Sequence, residues 1–413
     1  MMIRPQPRRL VRGVIVAAVL AGVVSAGLSS TSGASSPKGV AASGGPTVKT
    51  PLGTVSVNKV YVPGVPSLAQ LYKSTETTPP ATSPPIAPGK SVVWMSCGQT
   101  ANGCAGPAAD FAKVAKLVGW KYSVVDGALD VNNGYATAMA QAIAEKPDAI
   151  VLWGENCADV KQAVIAADAA HILVFGAGSA DCSDRFTPGG AEAALYGGHV
   201  IFNKSATNIS KLYEQIGEQQ AAAAIDASKG HARIIRDTFQ GGFGLWEQAG
   251  QDAVLKKCSA CSVVADIPWT PAQSAPGGSL FQGFNTDLAA HPEANVAMFS
   301  FDSICTGLAL CKAIVDAKRS NHMYVIAAEG YAAGMTLIRE HAGLQAEPSY
   351  DAVWASSWAT ADELNRLFNH KPLVPEGSGV RVVDATHNLP PSGSDYISPV
   401  NYQSAYKKIW RVK

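Results

Sequence analysis

The sequence predicts an α/β protein made of two doubly wound parallel-sheet lobes, joined by a hinge with a ligand cleft between them. Three observations predict it. From Ser91 onward, short apolar runs alternate with amphipathic stretches of ten to twelve residues, which right-handed βαβ crossovers turn into a parallel sheet. The same series then starts again after about Ile201, so one chain carries two such sheets. Finally, 413 residues with 47 % apolar content are enough for about two to three domains with proper cores.

Before the first strand come two segments of different character. Arg4, Arg8, Arg9 and Arg12 precede the apolar run Val14–Leu28, which is too short for comfortable passage through a ~30 Å hydrocarbon core. This pattern is that of a signal peptide over residues 1–34, with cleavage at Val24-Ser25-Ala26 or Ser32-Gly33-Ala34. Retained as an anchor, the same segment leaves the body equally outside the membrane, so an exported, extracytoplasmic protein is expected. No cysteine precedes Cys97, so a lipidated cysteine is not expected as the anchor. Residues 35–90 hold ten of the 25 prolines among Ser, Thr and Gly, the composition of a linker. Within it, Val62–Leu71 is apolar enough to dock as one or two helical turns.

The first lobe is expected over residues 91–200 plus about 358–372. Strands are predicted at Ser91–Met95, Tyr122–Asp126, Ala149–Trp153 and Ile172–Phe175, with helices at Ala108–Val118, Tyr135–Glu145 and Ala158–Ala169. The second is expected over 201–357 plus about 373–413. A long helix through Ala224 opens it; strands follow at Arg233–Asp237, Ser262–Ile267, Val296–Phe299 and Tyr324–Ala327, with helices at Leu245–Lys256, Leu280–Ala290 and Thr306–Ala317. Tyr396, Tyr402, Tyr406 and Trp410 make the end too aromatic for a free tail, and it is expected to pack along one lobe.

Eight cysteines in an exported chain predict disulfides, and their placement suggests Cys97–Cys104, Cys157–Cys182, Cys258–Cys261 and Cys305–Cys311. Cys258 and Cys261 also have redox-motif spacing, but they fall between a helix and a strand rather than at a helix amino end. Cys305 and Cys311 pose a geometric problem, because six residues of regular helix rise ~9 Å and disulfide Cα atoms sit within ~7 Å. Either the helix starts or breaks at Thr306-Gly307, or the two thiols are free and buried.

Lys and Arg number 33 and Asp and Glu 32, with no basic run, so a nucleic-acid partner is not expected. Enzyme machinery is equally hard to find. Gly176-Ala177-Gly178-Ser179-Ala180-Asp181 lacks the third glycine of a dinucleotide loop, and there is no Gly-x-Ser-x-Gly, Gly-x-x-x-x-Gly-Lys-Ser/Thr or His-Glu-x-x-His. No cofactor or metal is expected.

Four local patterns between Lys90 and Asn388 carry a family resemblance. Phe301-Asp302-Ser303-Ile304-Cys305-Thr306-Gly307 is similar to Asn-Asp-x-x-Ala-x-Gly, and Ala327-Ala328-Glu329-Gly330 to Gly-Phe-Asp-Gly. The stretch Leu280–Asn295, a helix ending in His291-Pro292-Glu293, precedes the first of these, and Ala355-Ser356-Ser357-Trp358 falls at a recrossing between lobes. In this order they resemble the type I periplasmic binding proteins of ribose- and galactose-like sugar importers. The resemblance implies a monomeric receptor that closes on a small molecule and presents it to an ABC-importer permease. An extracellular sensor using the same closure is the alternative.

Departures from the sugar-binding pattern bear on the ligand. Gly176–Ser179 stands where those proteins have an acidic-basic pair, and Glu247 and Gln248 where they have an arginine before a helix glycine. Phe301 replaces Asn and Glu329 replaces Asp. Hydroxyl-binding groups are lost and aromatic residues stand close by, which favours a bulkier, less polar ligand as much as a sugar. Candidate walls are Trp153, Phe243, Trp246, Trp269, Phe301, Trp354 and Trp358, each of which core packing would equally explain. Candidate polar contacts are Gln99, Asn102, Glu155, Asn156, Ser179, Asp181, Asp302 and Glu329. For these, turns and helix caps are the competing use.

Overall fold

The computed structural model describes residues 47–184 and 192–413, so the expected signal peptide lies outside the described residues. Residues 47–90, expected as a linker, are built into the body instead. β1 (Thr47–Thr50) and β2 (Gly53–Ser56) form an antiparallel hairpin, followed by α1 (Leu68–Leu71). Val55, Leu68, Leu71 and Tyr72 bury against Ala221, Ala224 and Ile234 of the second lobe. The chain then crosses to the first lobe, where the Ala87 amide donates to Asn365 Oδ1 (2.9 Å) and the Trp120 indole donates to the Ala87 carbonyl (2.8 Å). Arg366 caps the Thr82 carbonyl at 2.5 Å. Composition misleads here because Asn365 and Arg366, which hold this proline-rich strap, lie 278 and 284 residues further along than the groups they bond.

The first lobe contains β3 (Ser91–Ser96), α2 (Asn102–Val118), β4 (Lys121–Asp126), α3 (Gly134–Ala144), β5 (Ala149–Trp153), α4 (Cys157–Ala169), β6 (Leu173–Gly178) and the short β7 (Gly198–His199). Its all-parallel sheet has the order β4-β3-β5-β6-β7. Every residue of β5, Ala-Ile-Val-Leu-Trp, is buried, as a strand covered by helices on both faces must be.

The second lobe opens with α5 (Ile209–Ala227) and continues through β8 (Arg233–Phe239), α6 (Gly242–Leu255), β9 (Ser262–Trp269), α7 (Ser279–Ala290) and β10 (Val296–Met298). After these come α8 (Asp302–Thr306), α9 (Leu310–Asp316), β11 (Tyr324–Ile326), α10 (Ala332–Arg339) and β12 (Ala346–Ser349). The chain returns to the first lobe as a π-helical turn, Trp354–Ala359, that runs into α11 (Thr360–Phe368). It comes back as β13 (Arg381–Asp384), antiparallel to β12, and ends in α12 (Tyr402–Trp410). The sheet order is β13-β12-β11-β10-β8-β9. Apart from its antiparallel edge strand, the second sheet repeats the winding of the first.

The hinge is a bundle of crossing segments. Glu376 N donates to the Ile201 carbonyl (2.8 Å), and the strap pairs with the same segment through Thr77 N to Gly377 O (2.8 Å) and Thr75 N to Val380 O (3.0 Å). The expected assignment of 373–413 to the second lobe is corrected for α12, which packs on the first-lobe helix carrying Trp354 and Trp358.

All four disulfides are present. The six-residue problem is solved by a break: α8 ends at Thr306, Ala309 takes φ +60°, and α9 begins at Leu310, which brings the Cα atoms of Cys305 and Cys311 to 4.7 Å. Cys157–Cys182 closes a 25-residue span and joins the loops after β5 and β6. Replacing both cysteines by Ala is expected to cost about 3 kcal/mol on the chain-entropy scale. Urea denaturation of the purified variant checks this.

Candidate functional site

In open parallel sheets, ligands bind beyond the carboxyl ends of the strands, at the point where the strand order reverses. In the first lobe that point lies between β3 and β5. Cys97 follows β3, and Gly154 follows β5 with φ +98°; a Cβ there would come within 2.3 Å of Cys97 Sγ, so only glycine lets the two loops meet. Trp153 closes the same corner, its indole donating to the Gly103 carbonyl (2.8 Å) while its ring stacks 5.8 Å from Trp94. Gln99 and Asn102 stand exposed on the Cys97–Cys104 loop. A separate surface hollow of about 670 Å³ lies at the opposite, amino ends of β3, β5 and β6, beside Lys90 and Asp148. It has none of these strand-end features.

The neighbouring polar candidates divide by role. Asn156 accepts from Ala180 N (3.1 Å) and starts α4 in a capping box with Asp159, so it holds two loops together. Asp181 accepts from the amides of Cys182 and Leu195 (2.7 and 2.9 Å), which fixes the loop beside it. Glu155 is fully buried; one oxygen takes the Trp153 amide (3.1 Å), and burial raises its pKa well above the usual carboxylate range. Ser179 is buried with no partner for its hydroxyl among the described residues.

In the second lobe the reversal lies between β8 and β10, and the strand ends there are aromatic. Phe239 packs against Trp269 (4.9 Å) and edge-on to Phe301 (5.7 Å). Trp269 is anchored by its indole to Asp237 (2.5 Å), which also takes the Ser300 hydroxyl and amide, so one buried carboxylate ties three strand ends together. A second aromatic group follows at α5 and α6, where Phe243 meets Tyr213 at 4.9 Å and Trp246 at 5.4 Å, both edge-to-face.

Glu329 is the acidic centre of this face. It has φ +91°, a costly conformation for a residue with a Cβ, and it is held there by its amide on the Pro348 carbonyl and by a bridge to Ser349. Gly330, at φ +98°, completes the turn, since a Cβ there would lie 2.6 Å from that of Ser349. The residue is half-buried but its carboxyl is enclosed; Oε1 takes the Tyr213 hydroxyl at 2.8 Å. Burial, then the nearby Asp302 charge, push its pKa up to about 8. Asp302 is itself buried and pushed up to about 7, its Oδ2 taking the Tyr331 amide (3.0 Å). A Cβ on Gly103 would lie 3.4 Å from the Tyr331 hydroxyl, so the two lips touch at this corner.

The site brings together Glu329, Asp302, Phe301, Trp269, Phe243 and Trp246 on one lip and Trp153, Gln99 and Asn102 on the other. It does not include Trp354 and Trp358. Trp354 stacks on Tyr402 (4.8 Å) and Trp358 on Trp410 (5.5 Å), so both belong to the core under α12 and are corrected from ligand wall to packing. Tyr213, Phe239, Tyr331 and the buried Asp237 and Glu247 are additions. Only Asp237 and Glu247 carried a signal: an acid inside an otherwise apolar strand end, and an acid where the resembling proteins have arginine.

No protein-family model and no curated protein matches the sequence. Solved structures do match in shape. The periplasmic binding protein component of the arabinose ABC transporter from Shewanella sp. ANA-3, bound to L-arabinofuranose, superposes with TM-score 0.57 at 13 % identity, covering 78 % of this chain and 96 % of that one. The chain has the type I periplasmic-binding-protein fold. The same fold relates it to an ABC sugar transporter subunit from Rhodobacter sphaeroides 2.4.1 (TM-score 0.58, 13 % identity, 71 % and 98 % covered). It also relates the chain to the 5-methylthioribose transporter solute-binding protein from Thermotoga lettingae (0.55, 13 %, 80 % and 100 %).

Proposed function

We propose that the protein is an extracytoplasmic receptor that captures a small molecule between its lobes and delivers it to an ABC-importer permease. The observation that carries this is the pair of strand-end lips meeting at Gly103 and Tyr331, with Glu329 held in a strained backbone beside them. A ligand that contacts both lips favours the closed arrangement by its differential affinity for it. Four disulfides fit an oxidising compartment, which supports export.

The walls set the ligand's shape. Phe239, Phe243 and Phe301 are half-buried, so each leaves some ring surface to a partner, at about 25 cal/mol per Å² of apolar area covered. A ligand with an apolar portion therefore suits the face better than a bare pentose. The T. lettingae neighbour's ligand, 5-methylthioribose, is such a compound, a pentose bearing a thioether.

A thermal-shift screen of the chain from Ser35 tests the reading against sugars, polyols, thioether sugars and small aromatic compounds. One chemical class is expected to raise Tm by several degrees, since ligand at a hundred times its Kd adds about 2.7 kcal/mol. No shift from any class would contradict a receptor, and consumption of a compound would point to an enzyme.

A further inference from the structure

We propose that the ligand carries a positive charge, an ammonium group seated between Glu247 and Glu329 and covered by the aromatic rings of Tyr213 and Phe243. This deepens the receptor reading and rests on it.

Glu247, on α6, is 1 % exposed, and neither of its carboxyl oxygens has a hydrogen-bond partner among the described residues. The Gln220 amide lies beside it and favours its charged form, but both hydrogens of that amide already go to the carbonyls of Phe299 (2.9 Å) and Ala327 (3.1 Å). A buried carboxyl with nothing to accept from is expensive and calls for a partner that the chain does not provide.

The surrounding charges are almost all of the same sign. Glu247 faces Asp237 and Glu329; Glu329 faces Asp302; and Glu347, fully buried, faces both Asp302 and Glu329. Among the described residues, the cation that acts on Glu247 is Arg236, and it is committed to Asp266 (2.8 Å), Asp252 (2.7 Å) and Gln251 (3.2 Å). The lip therefore has acids without a counter-charge.

A metal ion does not suit this arrangement. Among the described residues, the acids of this lip do not bring three ligand atoms within 4.8 Å of one another; the group that does is Cys157, Asp181 and Cys182, whose sulfurs are joined in a disulfide. Spread acids flanked by rings suit an organic cation, which can reach two carboxyls while its CH groups lie on aromatic surface. Tyr213 and Phe243, 4.9 Å apart and edge-to-face, supply that surface beside Glu329. Because burial holds both carboxyls protonated further up the pH scale than usual, a cation arriving at pH 7 should drive protons off them.

The test is isothermal titration with matched pairs: D-glucosamine against D-glucose, D-galactosamine against D-galactose, and tyramine against 4-(2-hydroxyethyl)phenol. At least one amine is expected to bind ten times or more tightly than its uncharged twin. Titrations in two buffers of different ionisation enthalpy should show proton release on binding. Glu247→Gln should weaken the amine at least ten times more than it weakens the twin, and its Tm should match or exceed that of the parent because a buried acid is removed. Glu329→Gln is the second variant should the first not fold. An uncharged twin binding as tightly as its amine, or full amine affinity in the folded variants, overturns this inference and leaves the receptor standing. Silence from both members of every pair, together with a flat thermal-shift screen, overturns both.

Discussion

Trp354→Ala is expected to lower the unfolding free energy by about 3–5 kcal/mol, the cost of deleting a fully buried large aromatic side chain. Trp354 has no exposed surface; its indole donates to the Tyr406 hydroxyl (3.1 Å), and its ring stacks on Tyr402. Tyr406 in turn donates to Glu376 Oε2 at 2.5 Å, so one indole supports both α12 and a hinge segment. A ligand-wall role would give the opposite pattern, with little change in stability and a raised Kd. Urea denaturation followed by circular dichroism separates the two. A loss under about 1 kcal/mol would show that α12 does not pack as described.

The second large effect is on pH. Stability should be greatest in mildly acid solution and fall as the pH rises from about 5 to 8. The reason is the set of buried acids whose pKa is raised by burial: Asp302 and Asp226 to about 7, Glu329 to about 8 and Glu363 to about 9. A carboxyl with a raised pKa holds its proton in the folded chain after the unfolded chain has lost it. Its contribution is complete below the unfolded value near 4 and is lost as the pH climbs through the folded value. Asp148 and Asp384, whose pKa is lowered by their hydrogen-bond partners, act in the other direction, but they lose effect only on acidification below about 4. A fall of several degrees in Tm between pH 5.5 and 8 is expected, and Glu329→Gln should flatten it. A Tm that rises over this window would mean these acids are solvated.

Much of the fold was legible because burial imposes a period. β5 is apolar at every position and α5 buries an unbroken Ala221–Ile225 run, and both patterns survive in sequence as short and long apolar stretches. The cysteines were legible because their sequence neighbours are also their spatial ones. The strap was not. The Thr47–Ser56 hairpin alternates Thr, Val and Lys with no long apolar run, and the proline-rich stretch after it is held by Asn365 and Arg366, whose relation to it exists only in three dimensions. The site was half-legible for a similar reason. Glu329 and Phe301 follow strands and stand out, whereas Tyr213 comes from within a helix whose pattern gives no sign that one ring faces a carboxylate. Trp354 and Trp358 misled because an aromatic pair at a lobe crossing has the same sequence signature whether a ligand or a C-terminal helix covers it.

The central claim is that the two strand-end lips bind a small molecule and release it unchanged. The most direct measurement is a calorimetric titration with whichever compound most raises Tm, followed by recovery of that compound and its analysis by mass spectrometry. A receptor gives saturable binding at one site per chain and returns the compound intact, with affinity retained in Trp354→Phe. Binding at several weak sites or a recovered compound of altered mass would contradict the account.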